Sequence, residues 1–84
     1  MPKGDKGNPK TVIKATDDAL VLYEDVAEDS PEDTPAVLGE LLTNKGTPIK
    51  GLRRWRLKQR TGLSTDEFNK VLDFLLEHNL VELK

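Results

Sequence analysis

Six bases fall within eleven residues: Lys50, Arg53, Arg54, Arg56, Lys58 and Arg60, with no acid among them. A helix shaped for stability alone interleaves acids with bases, because like charges three or four residues apart repel. An uninterrupted basic run therefore points to an anionic ligand met in water. Each base that neutralises a phosphate releases a condensed counterion. Arginine predominates here, and its planar fork fits two phosphate oxygens at once. The expected chemistry is recognition of a polyanion, with duplex DNA as the partner.

A competing reading sits in the same chain. Residues 15–44 hold nine acids and no base, residues 45–60 hold seven bases and no acid, and the formal net charge is only −2. The acidic Asp17–Asp33 segment could fold onto the basic helix and mask it, although surface pairs contribute little each. Either charged stretch could also be the contact for a protein partner. Trp55 suits base stacking or a partner anchor, but a lone tryptophan in a small domain is more often core or core edge. Tyr23 reads as packing. His78 has no second metal ligand at a matching spacing and reads as structural.

Other chemistry has little to stand on. The chain has no cysteine and one histidine, which removes disulfides and thiolate catalysis and fits an intracellular setting. Gly4 and Gly7 neither follow a strand nor open a helix, so they make no dinucleotide fingerprint. The acids of Asp25–Asp33 lack the central glycine and terminal glutamate of a calcium loop. Carboxylates in solvated stretches have nothing to raise their pKa values. No apolar run approaches the ~20 residues of a membrane span, and Met1–Lys10 lacks the apolar core of a secretory signal. The expectation is a cytoplasmic binding module, with no enzymatic activity and no cofactor.

The elements that must position the basic run follow from spacing. Residues 1–10 read as a disordered basic tail. Residues 11–33 read as a strand followed by an acidic helix and loop. Thr11–Thr16 is rich in β-branched residues. Ala19, Leu22, Tyr23 and Val26 share one helical face over Asp17–Glu28; Leu20 and Val21 break that pattern, and a buried strand over Ala19–Tyr23 is the alternative to the helix favoured here. Residues 34–84 read as the main domain. Thr34-Pro35 opens a helix with Thr as N-cap. Val37, Leu38, Leu41 and Leu42 form its stripe, Lys45 sits in its last turn and Gly46 stops it. Thr47-Pro48 repeats the opening signal, and a third helix runs to about Arg60, with a loop over Thr47–Gly51 and helix from about Leu52. Trp55 and Leu57 are then expected to flank the core. Ser64-Thr65-Asp66-Glu67 is a capping box, and Phe68, Val71, Leu72, Leu75 and Leu76 make an amphipathic face. Asn79 suits a left-handed helix end, and Leu80–Leu83 a short strand.

The order helix, helix, turn, helix, strand, with TGLSTDEFNKVLDFLLEHNLVEL over Thr61–Leu83, resembles the winged helix-turn-helix domains of bacterial and archaeal regulators. The match is close over Thr61–Leu83 and loose over the two preceding helices. The resemblance implies a mainly α fold with a small β element. It implies that Ser64, Thr65, Asn69 and Lys70 face base edges in the major groove while the basic helix holds phosphates. The family's winged hairpin has a second strand after the first, and here Leu80–Leu83 has none following it. Thr11–Thr16 is expected to supply the partner, since a lone strand leaves its backbone groups unpaired. The function implied is a small transcriptional regulator or accessory DNA-binding factor. The alternative is a protein-interaction module on the same scaffold. A homodimer would set two reading helices about one helical turn apart, but the sequence carries no zipper to enforce one.

Overall fold

A computed structural model of the chain describes residues 8–84. The basic-tail expectation for residues 1–10 therefore lies mostly outside the described residues. Asn8–Lys10 are described, and they form a turn: Thr11 N–H donates to Asn8 O and Lys10 N–H to Asn8 Oδ1.

The elements run β1 (Val12–Ala15), α1 (Ala19–Val26), a 3-10 turn (Ala27–Asp29), α2 (Thr34–Glu40), β2 (Leu52–Arg53), α3 (Arg54–Thr61), α4 (Thr65–Glu77) and β3 (Val81–Leu83). The result is a small α/β domain: four helices against a three-stranded antiparallel sheet of order β2-β1-β3. The expected pairing of the first and last strands is present. Ile13 faces Leu83, Lys14 faces Glu82 and Ala15 faces Val81. Alternation along β1 puts Ile13 and Ala15 in the core.

One core joins all layers. Phe68, Val71, Leu72 and Leu75 of α4 are buried with Val37, Leu38 and Leu41 from α2 and its cap, with Leu57 of α3, and with Ile13, Ala15 and Val81 of the sheet. The α4 stripe read from the sequence is thus the face that packs, and Leu63 plugs the angle between α3 and α4 as a partly buried neighbour of the core. Gly62 ends α3 at φ 69°, its N–H donating to Lys58 O, and Asn79 takes φ 59° after α4. Both are left-handed stops.

Four local expectations are corrected. Asp33, not Thr34, is the N-cap of α2, and Thr34 is fully buried. The helix also stops at Glu40 rather than running to Lys45. Leu42 instead bridges Pro48, Ile49 N–H donates to Leu41 O and Thr43 N–H to Thr47 O. This tight loop takes the chain out of helix before Lys45, and Gly46 (φ 81°) serves its turn. Leu52 does not begin a helix. With Arg53 it extends the sheet, pairing with Ile13 and Val12, and α3 starts at Arg54. Trp55 leaves the core to Leu57: the tryptophan is 45% exposed and the leucine fully buried.

Candidate nucleic-acid interface

The basic run is positioned by its attachment to β1. Gly51, at φ 110°, lets the chain approach so closely that a Cβ there would lie 2.8 Å from Val12 Cγ1 and 3.1 Å from Ile13 O. Two residues of β2 follow, and α3 begins directly from the sheet. No side chain caps it. Its first amides, which a helix leaves without internal partners, donate instead to backbone carbonyls: Arg54 N–H to Thr11 O at 2.8 Å and Trp55 N–H to Pro9 O at 3.1 Å. The segment leading into β1 thereby fixes the rotation of α3.

That rotation sorts the bases. Arg54, Leu57, Lys58 and Thr61, at i, i+3, i+4 and i+7, are the inward and partly inward positions, and Trp55, Arg56, Gln59 and Arg60 face outward. Arg54 is 92% buried, since only 8% of its surface is exposed. Its guanidinium lies 5.2 Å from the Phe68 ring centroid, and its Nη2 donates to Asn69 Oδ1 at 2.6 Å. Its Nε has no partner among the described residues. Arg54 and Asn69, both expected to touch DNA, are therefore committed to each other. An arginine can only donate, so Asn69 Oδ1 is the acceptor and its Nδ2 the remaining donor.

Ser64 is also occupied. Its hydroxyl accepts from Glu67 N–H at 3.2 Å and donates to Glu67 Oε1 at 2.9 Å. The capping box is formed, with the carboxylate meeting the hydroxyl rather than the Ser64 amide. Thr65 and Lys70 remain exposed on α4, where Asp66, Glu67, Asp73 and Glu77 are exposed with them. Four acids beside one lysine make the outer surface of α4 hostile to phosphate.

The exposed bases gather on the β2–α3 side: Arg53, Arg56 and Arg60, with Lys50 just before and Lys58 half-buried. Arg60 Nη1 lies 3.2 Å from Glu40 Oε2, both side chains exposed. Among the described residues no acid lies within ion-pair distance of Lys50, Arg53, Arg56 or Lys58. Among those residues the acids of Asp17–Asp33 make no ion pair with the basic run. His78 caps α4 and packs against Phe74, ring centroids 4.5 Å apart and planes tilted by 49°.

Elsewhere, an open cleft of about 370 Å³ is lined by Lys14, Thr16, Asp17, Asp18, Asn79 and Glu82, among others. It presents both signs of charge and no apolar floor beyond Ala15 and Leu22. Among the described residues no group of three His, Cys, Asp or Glu side chains could hold a metal ion, and no helix is long and apolar enough to cross a membrane. Comparison with known families, with curated proteins and with solved structures finds no match for this chain.

Proposed function

We propose that the protein is a nucleic-acid-binding module, a small winged-helix variant that grips the phosphate backbone of duplex DNA with its β2–α3 face. The observation that carries this reading is the juxtaposition of exposed Arg53 at the end of β2 and exposed Arg56 on α3, neither within ion-pair distance of an acid among the described residues, on a helix whose first amides bond to the backbone of Thr11 and Pro9. The winged-helix part of the proposal rests on the order α2, β2, α3, α4, β3 and on β1, which lies between β2 and β3. In that position β1 takes the place of the wing's return strand.

The binding surface differs from the one the resemblance implies. The acids of α4 and the engagement of Ser64 and Asn69 argue against deep insertion of that helix among base edges. Phosphate contact through β2–α3 makes the proposed binding sequence-tolerant, which suits an accessory DNA-binding factor better than a site-specific regulator.

The test is a salt titration of binding to generic duplex DNA. Lys50, Arg53 and Arg56, each meeting one phosphate, give a slope of log K against log salt of about −3. Arg53→Ala/Arg56→Ala lowers the slope by about 2 while leaving the thermal transition in place. Absence of binding at low salt would sink this function for the chain.

A second reading has its own observation. Val21 and Leu20 of α1 are 62% and 42% exposed, with Glu24 and Asp25 beside them on the surface. An apolar pair rimmed by acids suits a basic protein partner, and the same titration separates the two readings, because a protein-only module shows no salt-dependent DNA affinity.

A further inference from the structure

The one tryptophan of the chain stands on the outer face of α3. The inward stripe of the same helix gives its places to Arg54, Lys58 and Thr61 around a single leucine. A large ring left in water forgoes its burial, so its surroundings indicate what would cover it. Trp55 and Gln59 lie one turn apart, and Arg56 and Arg60 form the neighbouring row. Arg53 ends β2 just before the helix.

The charge decides among occupants. An apolar protein surface laid over Trp55 would strip water from Arg53 and Arg56 without supplying a counter-charge, which is costly. A duplex supplies phosphates, but its base faces are stacked on one another and closed to the ring. A single strand supplies both at once: an open base face for the indole, with phosphates a few ångströms to either side. Aromatic platforms flanked by bases hold single strands in this way, with little dependence on sequence, since every base has a π-face.

We infer that the Trp55 face is a stacking platform for unpaired bases, so that the module takes single-stranded nucleic acid, with Arg53 and Arg56 on the flanking phosphates. This inference rests on the reading of the β2–α3 face as a nucleic-acid surface, and it names the form of nucleic acid that uses the face most fully. The indole contributes a contact the duplex cannot use. Single strands therefore depend on Trp55, while duplex binding depends on the arginines alone.

The experiment titrates the full chain with a short oligothymidylate, with the matching oligouridylate and with a short duplex. Binding is read by Trp55 fluorescence and by anisotropy of labelled oligonucleotide. The inference expects both single strands to quench the tryptophan more deeply than the duplex does. Trp55→Ala is expected to weaken single-strand binding roughly 5- to 100-fold, to leave the salt slope unchanged and to alter duplex affinity little. Trp55→Phe is expected to restore most of the loss. An oligothymidylate and an oligouridylate of equal affinity place recognition on base face and phosphate alone, whereas a preference for one adds the sugar or the thymine 5-methyl group to the platform. Duplex binding with no quenching by either single strand, or a Trp55→Ala variant that holds them as tightly as the parent, overturns the platform and leaves the basic face standing. No binding to any of the three at low salt overturns both. Because Trp55 is a surface residue, an unchanged circular-dichroism melt confirms that the alanine variant is folded.

Discussion

Arg54 is expected to act on stability rather than on binding, against the role its neighbours play. Its guanidinium is buried, donates one short hydrogen bond to Asn69 and lies over the Phe68 ring. A hydrogen bond to a charged group contributes about 1.5–3 kcal/mol, and a desolvated cation–π contact contributes about 2 kcal/mol. Against these stands the desolvation of the cation, which has no carboxylate partner among the described residues and sits at a helix N-terminus, where positive charge is unfavourable. Arg54→Ala removes all three and leaves a void beside Phe68, for a net loss of about 2–3 kcal/mol. For a domain of this size that lowers the thermal midpoint by roughly 10–20 °C. Arg54→Met keeps much of the volume and removes the buried charge, so its cost is smaller, about 1 kcal/mol or less. The assay is urea denaturation followed by circular dichroism for Arg54→Ala, Arg54→Met, Asn69→Ala and the double variant Arg54→Ala/Asn69→Ala. A coupling of about 1 kcal/mol or more between positions 54 and 69 is expected, since distant sites add within ~0.5 kcal/mol. The folded Arg54→Met variant should keep the parent's salt slope for DNA. An Arg54→Ala variant within ~0.5 kcal/mol of the parent, or additive costs at 54 and 69, would refute the pairing as a structural device. A loss of salt slope in Arg54→Met would return Arg54 to the phosphate surface.

Other outcomes follow from single positions. Gly51→Ala should cost roughly 3 kcal/mol, because left-handed strain adds to a clash with β1, whereas Gly62→Ala, with nothing within 4 Å of its Cβ, should cost only ~1 kcal/mol; chemical denaturation of both variants checks the ranking. Ser64→Ala removes the side-chain cap of α4 and should lower stability by about 1 kcal/mol, measured the same way. Glu40→Gln breaks an exposed ion pair, so stability should change by less than ~1 kcal/mol. It also frees Arg60 for phosphate, so the salt slope for DNA should steepen by up to about 1.

What the sequence made legible was whatever repeats along the chain. The α4 stripe, its Ser64 cap, the Gly62 and Asn79 stops and the β-branched run of β1 are local patterns, and each stands in the structure where spacing put it. The pairing of β1 with β3 was legible for a different reason: a lone strand must find a partner, and Thr11–Thr16 was the run most plainly extended. The strand β2 carried no such signal. Two residues cannot show a period, and Leu52-Arg53 is extended because Gly51 brings it close to β1, where it pairs with Ile13 and Val12. Missing β2 misplaced the start of α3. Counting Leu52 as helical sets it on one face with Trp55 at i, i+3, so Trp55 was expected at the core while Arg54 was expected in solvent.

The same rotation governs the candidate site. Composition counted six bases in the run but gave no direction for any of them, and direction is a tertiary property fixed by two backbone hydrogen bonds at the head of α3. Once those bonds set the helix, Arg54 must turn inward because it lies one turn before Leu57, the only apolar inward anchor α3 has. Asn69 is the one side chain of α4 to which the structure gives a hydrogen bond with that guanidinium. Arg54, expected on phosphates, and Asn69, expected at base edges, thus become part of the frame that holds Trp55, Arg53 and Arg56 outward. The exposed indole is the consequence: with an arginine in the inward place, the tryptophan next to it is carried about 100° around the helix, to the face where the free charges lie.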